Sequence, residues 1–478
     1  ACDTRLHVGR GATILLRREP QRLQAHISKV RGLLLPLHDR HRQRKPHSGT
    51  QGGPFFVSRS LFFGPLFDDR LHPQAEYFFV DTRASTTVLA DFSHRLIPGT
   101  FENWESFFRT LLSERKVVII DEFQNFLRVD PSVFSLLQKS WDDCHSDVLL
   151  VLCGSYSGMM KRLFLDVKQP LFGRSSHILA LKPLDFPGAF QMLSSFGYSF
   201  EQTVTWYSVL GGVPKYLWYL EPRVGLQQGL EKLFFSDFAP LQEEGKSLLV
   251  GEFGSEHPGY FSVLQATGDK ERLASEITDR AFMDRTRVMK YIHELVQHYG
   301  IMYPVENLLS KRKRGKRYKI HDPFLGFWFR YVFSQQSSVE FHPPVALRYC
   351  LQNLPSTVGM RFENIVVSML PRLYEAGLLP LLPDRVGKNW GVVPGTKNQP
   401  YEIDILGETT SEVLVMECKW QNRPVKPSVG QALVQKGEYL QDPRKKVYAI
   451  ASKSGFAPGM DERIIKVGIQ EMEKALQP

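Results

Sequence analysis

Val117-Val118-Ile119-Ile120-Asp121-Glu122 is the stretch that decides the fold class of this chain. Its four apolar, β-branched residues are typical of a strand buried on both faces in the middle of a parallel sheet. Asp121 and Glu122 follow at the C-terminal end of that strand, which is the edge where open α/β sheets bind their ligands. The stretch therefore predicts an α/β fold with two carboxylates at its functional edge.

Only half of a nucleotide site of the P-loop type is recognisable. In such sites a strand-end carboxylate holds Mg²⁺, and an upstream Gly-x-x-x-x-Gly-Lys-Ser/Thr loop holds the phosphates with its amides and its lysine. No match to that loop precedes Val117. The triplet Gly245-Lys246-Ser247 has Pro240 where the first glycine belongs and follows the acidic strand, so we interpret it as unrelated.

The positive charge of the chain is concentrated near its start. Its 478 residues carry a net charge of +10, and the first 75 supply +8, from 13 Lys and Arg against 5 Asp and Glu. That segment shows no sustained helical or strand periodicity. A basic arm that binds nucleic acid is one interpretation. We favour the other, a disordered or mistranslated segment over residues 1–75, because a frameshift also accounts for the missing phosphate loop.

Cysteine usage and hydropathy indicate a compartment. The five cysteines are scattered and form no Cys-x-x-Cys pair, which suits a reducing environment and argues against structural zinc or a disulfide framework. No apolar run approaches the ~18 residues needed to span a bilayer, and no signal peptide is recognisable. We expect a cytoplasmic protein without membrane attachment.

Four stretches carry a family resemblance. They are VVIIDEFQNF (117–126), LLVLCGSYSGMM (149–160), PLFGRSSHILALKPLDF (170–186) and GGVPKYL (211–217). In these stretches the chain resembles the archaeal-type ATPase family, a group of AAA+-related P-loop NTPases. The resemblance implies an ATPase core over residues 76–200, truncated where the phosphate loop belongs, and a helical lid over residues 201–255.

The resemblance also implies roles for four residues and two cofactors, ATP and Mg²⁺. Asp121 would associate with Mg²⁺-ATP as the Walker B carboxylate, Glu122 would orient the attacking water, and Ser155 would occupy the sensor position. Arg174 is the candidate for sensing the γ-phosphate, since a guanidinium is always charged and binds phosphate in a bidentate manner. Without the phosphate cradle, we expect ATP hydrolysis to be lost.

Residues 256–335 follow the pattern of a winged-helix domain. The pattern predicts three helices and two strands, over residues 260–267, 270–277, 285–299, 301–305 and 317–320. The tip between the two strands carries six cations: Lys311, Arg312, Lys313, Arg314, Lys316 and Arg317. They favour salt-dependent contact with the DNA backbone. A solvated loop and a protein-binding winged helix are the alternatives.

Residues 345–478 carry carboxylates and a lysine in an order typical of Mg²⁺-dependent nucleases. Glu363 lies in a predicted helix and Asp404 in a predicted strand, while Glu417 and Lys419 share one face of the next strand. Asp404 and Glu417 can hold a hard divalent cation against a scissile phosphate. Lys419 would stabilise charge or help to activate water, and Glu363 would complete the set.

This order of residues matches the PD-(D/E)XK nuclease pattern, and a helix containing Gln435-x-x-x-Tyr439 follows it. The resemblance is to the C-terminal domain of the same ATPase family, which has a restriction-endonuclease-like fold. It implies a catalytic role for Gln435 as well, and a metal site formed by Asp404 and Glu417. The alternative is that Glu417 and Lys419 are simply polar residues on a sheet face.

Together these features predict an α/β fold: an incomplete P-loop NTPase-like parallel sheet with a helical lid, a winged helix and a restriction-endonuclease-like domain. We expect a DNA-associated protein of the ATPase family that has lost ATP hydrolysis and has a nuclease-like C-terminal domain. A non-catalytic DNA- or protein-binding module and a decayed gene product are the alternatives, so enzymatic activity stays open. Self-association into a homo-oligomer stays open as well.

Overall fold

The computed structural model describes residues 12–16, 75–115, 117–155, 157–222, 224–310 and 315–477. The chain divides into two compact units, Ala1–Lys182 and Pro183–Pro478. Both units combine helices with sheets, so the predicted α/β character is confirmed. The expectation for residues 1–75 concerns a segment that lies outside the described residues except for 12–16 and the last residue.

The first unit is a sheet with helices packed on it. Its strands are β1 (Ala12–Leu16), β2 (Ala75–Phe79), β3 (Val117–Asp121), β4 (Leu149–Gly154) and β5 (His177–Ala180). Its helices are α1 (Ser85–Ser93), α2 (Trp104–Glu114), α3 (Phe126–Val129), α4 (Val133–Asp142) and α5 (Ser157–Leu165). The strand order is β2-β3-β4-β1-β5, and β2, β3 and β4 are parallel, as predicted for β3.

The β1 strand departs from the predicted parallel arrangement. It is antiparallel to both β4 and β5. Ala12 pairs with Gly154 at the C-terminal end of β4, and Leu16 pairs with Leu150. β1 therefore begins at the edge where β3 and β4 end and runs away from it.

Burial explains why β3 is central. Val118 and Ile120 are completely buried, in keeping with an apolar run that has neighbours on both faces. The α2 helix begins at Asn103, whose side chain accepts a hydrogen bond from the Ser106 amide at 2.9 Å. Its Phe107 then packs edge-on against a ring of β2 in the aromatic core of this unit.

The second unit contains thirteen helices and eight strands among its described residues. The helices are α6 (Phe186–Ser195), α7 (Phe200–Leu210), α8 (Pro214–Trp218), α9 (Leu226–Leu230), α10 (Glu244–Phe253), α11 (Pro258–Thr267), α12 (Ala274–Ala281), α13 (Arg285–Gln297), α14 (Pro323–Tyr331), α15 (Gln336–Phe341), α16 (Pro343–Glu375), α17 (Pro427–Glu438) and α18 (Ile469–Lys474). The strands are β6 (Arg272–Leu273), β7 (Met302–Val305), β8 (Arg317–Ile320), β9 (Arg385–Val392), β10 (Pro400–Glu408), β11 (Glu412–Lys419), β12 (Lys445–Ser452) and β13 (Ile464–Gly468).

Within the described part of the chain, no helix is both long and apolar enough to cross a bilayer.

Helices α11, α12 and α13 accompany a small antiparallel sheet in the order β6-β8-β7. The predicted helix over residues 270–277 starts later, at Ala274, because Arg272 and Leu273 pair with β8 instead. That pairing depends on residues about 45 positions downstream, which local periodicity does not reveal. The two strands predicted on either side of the basic tip are present as β7 and β8.

The C-terminal sheet has the order β13-β12-β11-β10-β9. Strands β9, β10 and β11 are antiparallel, whereas β11, β12 and β13 are parallel. The α16 and α17 helices both contact this sheet. Pro371 lies inside α16, and the helix nevertheless continues to Glu375, with the buried Leu373 packed into the core.

Candidate functional sites

The C-terminal end of β3 gathers the first group of predicted site residues. Asp121 is buried, and its carboxylate accepts hydrogen bonds of 2.9 Å from the Tyr77 hydroxyl and from the Glu122 amide. The Glu122 carboxylate accepts hydrogen bonds from the Ser155 hydroxyl, just beyond β4, and from the Gln124 amide. The structure therefore brings Asp121, Glu122 and Ser155 together, and adds Tyr77 and Gln124, which no motif had singled out.

Glu122 is held in a strained backbone conformation. Its φ of 52° lies in the left-handed region, which costs a non-glycine residue about 1–3 kcal/mol and recurs where a site must aim a side chain. Burial raises the pKa of Tyr77, and the charge of Asp121 adds to the rise. The phenol therefore stays protonated near neutral pH and remains a hydrogen-bond donor to Asp121.

Arg174 has contacts of its own within the first unit. Its Nε and Nη2 donate to the Asp142 carboxylate at 3.0 and 2.7 Å. Its Nη1 donates to the carbonyl oxygens of Pro170 and Phe172, at 3.0 Å each. A γ-phosphate-sensing role would require this bidentate pair to open, and it stays a prediction.

The hairpin of β10 and β11 gathers the second group. Asp404 Oδ2 accepts a hydrogen bond from the Cys418 amide at 2.9 Å and lies 4.0 Å from Lys419 Nζ. Lys419 Nζ also donates to Glu417 Oε1 at 2.6 Å. Alternation along the strands thus places two carboxylates and an ammonium side by side, while Cys418 between them is buried in the core.

Burial shapes the electrostatics of this group. Burial, together with the charges of Glu417 and Glu363, raises the pKa of Asp404 to about 7. Burial lowers the pKa of Lys419, but Glu417 and Asp404 outweigh it and leave that pKa above its ordinary value. In the metal-free protein, the negative charge of Asp404 is therefore costly, whereas Lys419 stays protonated.

Glu363 lies in a charge network of its own. Its Oε2 lies 2.6 Å from Lys388 Nζ on β9. Burial raises the pKa of Glu363 and Lys388 opposes this rise. Burial lowers the pKa of Lys388, but Glu363 and Glu271 outweigh it and raise that pKa. Glu363 thus belongs to a largely buried charge network with Lys388, and its part in completing the ligand set of Asp404 and Glu417 stays a prediction.

The α17 helix brings Lys436 to Glu417, while the catalytic role of Gln435 stays a prediction. Gln435 is exposed, whereas Lys436 Nζ lies 2.8 Å from Glu417 Oε2. Leu433 and Gly437 are the buried positions of this stretch, and Lys436 lies three residues after Leu433 on the side that faces the sheet. The Gln435-x-x-x-Tyr439 spacing does not indicate Lys436, whereas the helical period of the apolar residues Leu433 and Gly437 does.

Two carboxylates, rather than three, are available for a metal ion. Among the described residues, no group of three or more His, Cys, Asp and Glu side chains is arranged to hold one. Asp404 and Glu417 nevertheless fit a hard divalent cation in their chemistry, because carboxylate oxygens are its preferred ligands. Burial and the charge of Glu417 raise the pKa of Asp404, and a bound cation would offset the repulsion between the two carboxylates.

The basic tip is described only in part. Lys311, Arg312, Lys313 and Arg314 lie outside the described residues. Lys316 is exposed. Arg317 lies over the ring of Trp390, 4.3 Å from its centroid, and forms a 2.8 Å ion pair with Glu402. Of the two described cations, only Lys316 is therefore presented to solvent without such a partner.

Comparisons with known proteins match both groups of residues. Residues 61–220, which include Asp121, match an ATPase domain predominantly from Archaea. Residues 328–430, which include Asp404, match archaea bacterial proteins of unknown function. An uncharacterized protein of Methanocaldococcus jannaschii is 27% identical to this chain over 360 residues, covering 74% of the chain and 78% of the relative.

These matches support an ATPase-type protein. A domain of that type uses a nucleotide and Mg²⁺ in general, and the first match contains all four residues assigned to the nucleotide site. The second match contains Glu363, Asp404, Glu417 and Lys419 and ends before Lys436.

Proposed function

We propose that this chain is a DNA-associated protein of the ATPase type whose C-terminal residues hydrolyse phosphodiester bonds with a divalent cation. The observation that carries the proposal is the convergence of Asp404, Glu417 and Lys419 on one hairpin, with Lys419 Nζ 2.6 Å from Glu417 and 4.0 Å from Asp404. A buried and a largely buried carboxylate beside a protonated lysine match the needs of a reaction on an anionic phosphate.

Each residue of the hairpin has a distinct task. Asp404 and Glu417 would hold the cation, which lowers the pKa of bound water and neutralises charge on the phosphate when it is present. The Cys418 amide fixes the Asp404 carboxylate through its 2.9 Å hydrogen bond. Lys419, which stays protonated, would bind a non-bridging phosphate oxygen or help to activate the attacking water.

Association with DNA has a separate basis. The β6-β8-β7 sheet with helices α11 to α13 has the element content of a winged helix, and its tip carries a run of cations at residues 311–317. The exposed face of α13 adds Arg285 and Lys290. Cations in these positions favour contact with backbone phosphates.

We infer that ATP hydrolysis is lost. In a P-loop site, the strand beside the sensor strand ends at the carboxylate edge and leads into the phosphate loop. The strand in that place here, β1, runs the other way, with Ala12 at that edge beside Gly154. β1 therefore ends, at Leu16, on the side of the sheet opposite to the carboxylate end of β3, and this direction supports the inference from the missing motif.

The second candidate is a non-catalytic DNA- or protein-binding module. One observation favours it: both Glu417 and Glu363 are already paired with lysines, at 2.6 to 2.8 Å. A scaffold of this kind would keep its carboxylates for internal ion pairs and bind no metal.

Calorimetric titration of the full chain with Mg²⁺ separates the two candidates. The nuclease proposal predicts a site that Glu417→Gln removes and that Glu412→Gln, at the other end of the same strand, leaves intact. Equal titration of wild type and Glu417→Gln, or no heat from either, would favour the non-catalytic module.

A further inference from the structure

Glu417 is held between two lysines. Lys419 Nζ lies 2.6 Å from one carboxylate oxygen, and Lys436 Nζ lies 2.8 Å from the other. Lys419 also lies 4.0 Å from Asp404 Oδ2, so it is shared between the two carboxylates of the hairpin. Lys436 therefore adds a second ammonium to this group, from a different element of the fold.

The fold fixes the position of Lys436 by bringing α17 close to the sheet. A Cβ at Gly437 would lie 2.4 Å from the Tyr448 hydroxyl oxygen, and one at Gly430 would lie 2.7 Å from Met460 Sδ. Only glycine leaves room for those side chains against the helix. The close packing lets Lys436 reach Glu417 across the space between helix and strand.

Lys436 is also reachable from solvent. Its side chain is 22% exposed, whereas that of Glu417 is 7% exposed. In the described part of the chain, Glu417 is the one carboxylate that Lys436 contacts, whereas Lys419 also lies near Asp404. Because an ammonium has three donors, Lys436 can bind an oxygen that approaches from solvent while one donor stays directed at Glu417.

We propose that Lys436 is a second phosphate-binding residue of this site, where its ammonium holds a non-bridging oxygen of a DNA phosphodiester. The inference rests on the proposed nuclease function and deepens it. The ammonium donates up to three hydrogen bonds and attracts phosphate as a point charge, without the planar geometry of arginine. Lys436, and not the exposed Gln435, is then the contribution of α17 to the site.

DNA binding without metal tests this assignment directly. We would titrate a fluorescein-labelled DNA duplex of mixed sequence with the full chain in EDTA, over a series of NaCl concentrations, and follow the anisotropy. Lys436→Met should weaken binding by about tenfold and make the slope of log K against log salt shallower by about 0.9. Lys436→Arg should retain most of the wild-type affinity, because it keeps the charge.

Lys445→Met is the matched control. Lys445 Nζ lies 2.8 Å from Glu412, so it pairs with the other glutamate of β11, but at the opposite end of the strand. This variant should bind DNA as the wild type does. Circular dichroism verifies that each variant is folded, and Lys436→Gln replaces Lys436→Met if the latter is not.

Two results would overturn the assignment. One is wild-type affinity and salt slope in Lys436→Met, even if its melting temperature falls, because Lys436 is then only a structural ion pair. The other is the absence of DNA binding by the wild type. A cleavage assay of Asp404→Asn distinguishes a failure of the Lys436 assignment from a failure of the proposed function. If Asp404→Asn loses cleavage while Lys436→Met binds DNA normally, only the role of Lys436 is refuted.

Discussion

Lys388 Nζ lies 2.6 Å from Glu363 Oε2, and the same lysine links this glutamate of α16 to Glu271 beside the β6 strand of the small sheet. Lys388 also lies 3.1 Å from Glu271 and 3.3 Å from Glu402. Glu271 in turn pairs with Lys319 at 3.4 Å. The charged groups of this network are mostly buried, so each carboxylate needs a neighbouring lysine to offset the cost of removing its charge from water.

We expect Lys388→Met to destabilise the second unit strongly. The lysine side chain is only 12% exposed, and its removal leaves Glu363 and Glu402 without that partner. Breaking a buried pair in this way costs about 3–5 kcal/mol of the free energy of unfolding. Urea denaturation followed by tryptophan fluorescence measures the change.

Glu363→Gln in the Lys388→Met background should recover part of that loss, because it removes the uncompensated charge. The exposed Lys445→Met should change the free energy of unfolding by less than about 0.5 kcal/mol. A Lys388→Met protein as stable as this control would contradict the description of the network as buried and mutually dependent.

The contribution of Asp404 to the stability of the metal-free chain should fall as pH rises from about 4 to about 7. The pKa of Asp404 is raised to about 7 in the folded protein, above its unfolded value of 3.8. Between those values the folded state binds more protons than the unfolded state, so deprotonation favours unfolding, by at most about 1.4 kcal/mol per pH unit. Above pH 7 this contribution is constant.

Thermal melts in EDTA across this pH range measure the effect. Asp404→Asn should show a weaker decline than wild type, since its side chain does not titrate. Parallel pH dependences in the two proteins would refute the raised pKa of Asp404.

The basic tip offers a prediction on DNA affinity. Lys316 is exposed, whereas Arg317 is held by Trp390 and Glu402. Lys316→Met should therefore weaken DNA binding in the anisotropy titration more than Arg317→Met does. Arg317→Met should lower the melting temperature instead, because it loses a cation–π contact and an ion pair. The reverse ranking of the two affinities would show that Arg317 leaves Trp390 to bind DNA.

The purified chain should not hydrolyse ATP above the rate of a blank. The phosphate cradle supplies several preorganised donors, and loss of even one can reduce a rate by about 10²–10³. Phosphate release should be the same for wild type and for Glu122→Gln. Rapid hydrolysis that Glu122→Gln abolishes would mean that another segment supplies the cradle.

The sequence predicts much of the fold because the decisive signals are local. The run from Val117 to Ile120 indicates a buried strand, and β3 occupies those residues. Alternation around Glu417 and Lys419 indicates the face they share, and the two side chains lie 2.6 Å apart. These signals need only the periods of strand and helix.

The rest depends on partners that are distant in the sequence. Lys388 carries no motif, because its role arises from carboxylates on other elements. The β6 strand forms by pairing with β8 rather than from its own propensity. The reversed direction of β1 likewise follows from its pairing with β4 and β5.

The most direct test of the central claim is DNA cleavage by the full chain in Mg²⁺, compared between wild type, Asp404→Asn and Asp461→Asn. Asp461 is paired with Arg463 away from the hairpin of β10 and β11 and serves as a matched substitution. We expect cleavage by wild type and Asp461→Asn, and a loss of at least about 100-fold in Asp404→Asn. Cleavage by Asp404→Asn at the wild-type rate would contradict the claim.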